Sequence, residues 1–269
     1  MTIQPIPSVP RVGLYSIGVR GLSVPELLRW AQAEGIPFVH LRAGPRGYDA
    51  ARQDDATLSR WARTAEQTIP ISGLTADVDL ADVLHAAPAA MDEIAALARV
   101  ARFLRARWVR VLARTPLVDW PDRSPALAEP DGEVVPLLIE LHHPGWLHGE
   151  PLAALESLLA RSPHVRLLVD TAQVHQALTE QDTGLVGPVL ARIMHHAAVL
   201  HLSDDGHGLD GIGHRLAAGH AAKHITSGHP LEVAFEWTGA CRTPTTCLSR
   251  FRSAVTWWTR TLVSPEESL

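Results

Sequence analysis

Short apolar runs alternate with amphipathic stretches along nearly the whole chain. The first run covers residues 12–17, and an amphipathic helix is predicted over 24–34. Ser23, with Glu26 three residues later, forms a capping-box pattern, and Gly35 is a natural stop. Further runs fall at 37–42, 69–74, 108–113, 134–140, 165–170, 197–202 and 231–236. Helical periodicity is expected over 56–67, 91–105, 152–161, 185–195 and 247–262. Residues 115–132 carry four prolines and several acids, so a loop is expected there. The stretch after the seventh run is rich in glycine, and His207 and His214 are expected to be loop residues.

Continuous apolar strands separated by helices imply a parallel sheet covered on both faces. Eight such units in 269 residues predict one α/β domain over 1–269, a (β/α)8 TIM barrel, for which roughly 250 residues is typical. An open doubly wound sheet is the alternative. No GxGxxG follows the first run and no GxxxxGK[ST] occurs, which disfavours nucleotide-binding open sheets.

Such barrels carry their chemistry at the C-terminal ends of the strands. Runs five to eight close on Glu140, Asp170, His201 and Glu236. An ionisable group ending an apolar strand is costly unless paired or coordinated, and four on one rim predict a divalent metal centre. Each has a structural alternative. Glu140 could cap a helix, Asp170 before Thr171 could form an N-cap, and His201 could be a core histidine. Glu232 shares the strand parity of Glu236, so one of the two could pair with an arginine. Three carboxylates and an imidazole suit Mn, Mg, Co or Zn. Three carboxylates around one divalent ion leave the site slightly negative, favouring a neutral polyol or hydroxycarbonyl.

Composition narrows the classes of function. Net charge is −5 with no basic stripe, so nucleic-acid binding is not expected. No apolar run reaches the roughly 18 residues of a membrane span, and no charged-then-apolar leader opens the chain. A cytoplasmic location is expected. Cys241 and Cys247 lack metal or disulfide spacing.

The segments LLIELHHPGW, RLLVDTAQVH, VLHLSDDG and LEVAFEW resemble strands five to eight of the xylose isomerase-like barrel superfamily. This superfamily includes sugar phosphate isomerases and epimerases and AP endonuclease family 2. The resemblance implies that Glu140, Asp170, His201 and Glu236 bind the metal. It further implies that Glu140 and Glu236 move a proton through an enediolate of a sugar. Substrate-orienting roles are expected for His40, Arg42, His142, Gln173, His175 and Arg215, with Trp146 and Trp237 at the mouth. Trp257 and Trp258 are expected in the core or at a contact between copies of a homo-oligomer. Gln173 stands where the superfamily often has histidine. The alternatives are a hydrolase resembling endonuclease IV, which His175, His207, Asp204 and Asp210 would serve, a lyase or dehydratase, or a repurposed barrel.

Overall fold

The computed structural model describes residues 11–118, 127–128, 134–180 and 186–264. Eight parallel strands close into a barrel. They are β1 (Val12–Tyr15), β2 (Val39–Arg42), β3 (Ile71–Asp79), β4 (Val109–Ala113), β5 (Leu137–Leu141), β6 (Val165–Asp170), β7 (Ala197–Asp204) and β8 (Glu232–Trp237). Neighbours in sequence are neighbours in the ring, and β8 returns to β1. Closure removes both sheet edges.

The helices form the outer layer: α1 (Val24–Ala33), α2 (Asp55–Gln67), α3 (Leu80–Leu84), α4 (Pro88–Leu104), α5 (Gly149–Arg161), α6 (Thr171–Glu180), α7 (Val186–His196), α8 (Ile212–Thr226) and α9 (Pro244–Val263). Glu26 accepts from the backbone N–H of Ser23 at 2.8 Å, so the box fixes the start of α1. Part of the proline-rich stretch 115–132 lies outside the described residues. Within and just beyond it, Leu127–Ala128 pairs antiparallel with Val134–Val135.

Three helices depart from expectation. The short α3 starts directly after β3, where Asp79 Oδ1 accepts from Ala81 N at 3.0 Å. The chain turns into α6 directly at Thr171, because Asp170 caps it; Oδ1 accepts from Ala172 N at 2.8 Å and Gln173 N at 3.0 Å. The glycine-rich stretch is a loop only to Gly211. Beyond it His214 lies in α8, buried against Thr171, whose Oγ1 is 2.9 Å from Nδ1. Small residues made α8 hard to read, since Ala217, Ala218, Gly219, Ala221 and Ala222 give a weak amphipathic contrast. Trp257 and Trp258 are both buried, and Trp257 Nε1 donates to Asp210 at 3.0 Å.

Most of the core lies between strands and helices. Trp108, Leu138, Leu168 and Val199 form a separate cluster. These residues come from β5, β6, β7 and the residue before β4, and they plug the barrel from inside. Gly73 makes room for the largest of them. A Cβ at residue 73 would stand 2.1 Å from Trp108 ring carbons. Gly73→Ala is therefore expected to cost about 1–3 kcal/mol through overpacking, read as a lower urea midpoint; an unchanged midpoint would show that the plug yields.

Candidate active site

Strand side chains alternate with period two, so the residue two positions beyond each plug residue points the same way. Those residues are Arg110, Glu140, Asp170 and His201, and all four are buried. The apolar floor and the polar layer above it thus arise from one alternation. Glu236, on β8 opposite Ser203 of β7, completes the layer.

Ligand atoms of Asp170, His201 and Glu236 lie within 4.8 Å of one another. His201 Nδ1 is 2.9 Å from Glu236 Oε2. Asp170 Oδ2 accepts from Ser203 Oγ, so both its oxygens are oriented. Tyr15 stacks on His201 at 5.1 Å between ring centroids, and its hydroxyl is 2.8 Å from Thr75 Oγ1.

Glu140 stands differently from its expected place as a fourth ligand. Its Oε2 is 2.8 Å from Arg110 Nε, although the N–H is out of line for a hydrogen bond. Its Oε1 is 2.8 Å from His142 Nε2. Arg110 also donates to Ala76 O at 2.9 Å and to Tyr15 Oη at 3.3 Å. A charge amid the apolar residues of β4 was the sequence signal for Arg110, and strand-end reading passed over it.

Electrostatics separate the carboxylates. Burial, and then the charges of Glu236 and Glu140, push Asp170 up to about 7. Burial and the charge of Glu140 push Glu236 up to about 7. Burial would raise Glu140 too, but Arg110 and then His142 outweigh it and hold it at about 2. Burial lowers His201 to about 4, so its imidazole is neutral. Two crowded carboxylates and a neutral imidazole are a donor set that a divalent cation fits, because it supplies the charge that a shared proton otherwise supplies.

This fixes the sign of a pH effect. Asp170 and Glu236 have folded values near 7, against 3.8 and 4.5 for the free groups. Their contribution to stability is full below about 4 and is lost as pH rises through 7. The metal-free protein should lose melting temperature from these groups between pH 5 and 8. Added Zn²⁺ should restore it increasingly over the same range. A zinc-induced rise that shrinks with pH would contradict the assignment.

The remaining predicted residues divide. His142 is half-buried beside Glu140, and Gln173 lies in the capped first turn of α6. Arg42 lines a cleft of about 330 Å³ with Ser16, Arg20 and Tyr48. His175 packs on His214 at 5.0 Å, and Arg215 is exposed on α8. Three residues do not face the mouth. His40 is fully buried beneath His201. Trp146 is fully buried, donating to Ala113 O at 2.9 Å. Trp237 is buried, donating to Cys241 O at 2.7 Å, with Arg250 over its ring at 5.0 Å. A large amphipathic ring near a strand end finds more apolar contact under the loops than over the cavity. His201 also does not end its strand, since β7 runs on to Asp204 against Trp237.

Fold and geometry together define a (β/α)8 barrel with an acid–imidazole cluster on the C-terminal side of its interior. Solved structures that superpose on it include xylose isomerase domain proteins. The IolI protein with a bound zinc atom superposes with a TM-score of 0.66 at 14% identity, covering 94% of this chain and 99% of that one. L-Ribulose 3-epimerase gives 0.63 at 15% identity, covering 96% of each chain. The E. coli 3-keto-D-glucoside 4-epimerase YcjR gives 0.62 at 12% identity, covering 93% and 99%. At these identities the likeness establishes the fold. No protein-family model matches the chain, and no curated protein does.

Proposed function

We propose that this chain is a divalent-metal-dependent isomerase or epimerase acting on a sugar or related polyhydroxy carbonyl compound. The observation that carries this reading is the convergence of Asp170, His201 and Glu236 within 4.8 Å in the barrel interior. The epimerase activities of two structural neighbours and the zinc of a third support it. Asp170, His201 and Glu236 would hold the ion, which would polarise a substrate carbonyl.

The protein's own groups then divide the proton work. Removing a proton next to a carbonyl needs a base whose pKa lies near the working pH. Of the two glutamates, Glu236 is the one that burial and the charge of Glu140 make the more basic, and a cation held beside it would lower that basicity again. Glu140, held at about 2 by Arg110, is too weak a base while that pair lasts. The proton would be returned by His142, whose Nε2 lies 2.8 Å from Glu140 Oε1. Burial lowers this imidazole, but the hydrogen bond to Glu140 and its charge prevail, so His142 keeps its proton to higher pH than a free one. Arg110 neutralises Glu140, so the loaded layer is close to neutral and accepts an uncharged sugar.

The test is a panel of aldoses and ketoses offered to Mn²⁺-, Mg²⁺-, Co²⁺- and Zn²⁺-loaded protein in D₂O. Deuterium entering the carbon beside the carbonyl, without loss of water from the sugar, is the expected result. Dehydrated product would point to a lyase on the same proton abstraction. Metal-loaded protein with neither exchange nor product across the panel would sink the proposal. The hydrolase alternative has less support. Asp204 accepts from Gly206 N and Gly208 N at 2.7 and 2.9 Å, and Asp210 accepts from Trp257. Among the described residues no second group of ligand atoms meets as the first does.

A further inference from the structure

His201 is fully buried and both of its ring nitrogens are occupied. A neutral imidazole has one donor and one acceptor nitrogen. Nδ1 faces Glu236, so binding a cation among Asp170, His201 and Glu236 requires a lone pair on Nδ1 and the proton on Nε2. That proton needs an acceptor within the barrel, because His201 is fully buried. His40 Nδ1 lies 2.9 Å from His201 Nε2. Accepting there places His40's own proton on Nε2, which lies 2.8 Å from Glu232 Oε1.

Glu232 is itself held from three sides. Ser72 Oγ donates to Oε1 at 3.0 Å, Trp108 Nε1 approaches Oε1 at 3.4 Å, and the Arg107 guanidinium pairs with Oε2. The two imidazoles stack at 5.1 Å, and Trp108 meets His40 edge-on at 4.7 Å. The rings therefore have little freedom to turn. Arg107 favours the orientation in which Glu232 only accepts, and that choice propagates along the chain to His201.

We infer that His40 and Glu232 are positioning residues, which hold His201 in the tautomer that presents Nδ1 to a divalent cation. The inference rests on reading Asp170, His201 and Glu236 as the metal ligands. It places a control element of the site on the N-terminal side of the barrel, four residues before Glu236 on β8. Partners that orient ligating histidines raise metal affinity by about 10- to 100-fold in general.

The experiment uses the full chain and Zn²⁺ alone as probe. Zinc dissociation constants are measured by chelator competition for the parent, Glu232→Gln, His40→Asn and Asp170→Asn. In parallel, the ¹⁵N-histidine spectrum of the zinc-loaded parent reports which nitrogen of His201 carries the proton. The expected result is a proton on Nε2, with zinc bound about 10- to 100-fold more weakly by Glu232→Gln and by His40→Asn. A proton on Nδ1 in the loaded parent would overturn the inference even if neither variant folds. So would parent-like affinity in Glu232→Gln and His40→Asn while Asp170→Asn loses zinc. A parent that takes up no zinc, or an Asp170→Asn variant that binds as well as the parent, would instead bring down the metal site and this inference with it.

Discussion

Asp170→Asn and Glu236→Gln are each expected to weaken binding of a divalent cation by more than the roughly 10–100-fold lost with a ligand's partner. Both replacements keep size and shape. The amide introduced by Asp170→Asn would still offer Oδ1 to the N-terminus of α6, where Asp170 now accepts from Ala172 and Gln173. What is lost is charge at two groups that burial and mutual repulsion push up to about 7. Removing either charge relieves that repulsion, so the metal-free variants should melt at or above the parent's temperature at pH 8. Loss of affinity together with unimpaired folding is what a strained ligand set gives. Calorimetric titration with Zn²⁺ and Mn²⁺ and melting of the metal-free forms would show it. Variants that bind as the parent does, or that unfold, would mean the cluster serves packing instead.

Arg110→Met should produce the largest loss of stability, about 3–5 kcal/mol, because it leaves the buried carboxylate of Glu140 without its counter-charge. Both side chains are buried, at 6% and 5% relative exposure. His142, more exposed, is a weaker substitute. Replacing both partners, as Arg110→Met with Glu140→Leu, should recover most of the loss, since an apolar pair of similar volume avoids the desolvation cost. Urea unfolding at pH 7 of the single and double variants decides the matter. A single variant within about 1 kcal/mol of the parent would show that Glu140 finds other neutralisation.

The chain's own pattern announced the barrel. Eight apolar runs became eight strands, with β3 longer than its run because Thr75 and, past an irregularity, Asp79 pair with β4. The helices from α1 to α9 were legible wherever apolar contrast was strong. α3, α6 and α8 were not, because α3 and α6 start directly at a strand end and α8 is built of small buried residues. The site was half legible. Asp170 and Glu236 were visible as acids that close apolar runs. His201 was visible as an imidazole at the matching place, although β7 carries on beyond it.

Partnership was the invisible part. Glu232 pairs with Arg107, 125 residues away, and His40 meets His201 across 161 residues. No local rule links such positions, since closing the barrel is what brings β2, β7 and β8 together. Tertiary structure likewise decided that Glu140 faces Arg110. It also decided that Trp146 and Trp237 are buried.

The sequence alone determined the period-two alternation, hence a polar layer above an apolar plug and the acids and imidazole that fill it. Only the closed barrel decided which of them meet, because a strand's periodicity sets the direction of each side chain but not the identity of its neighbour across the ring.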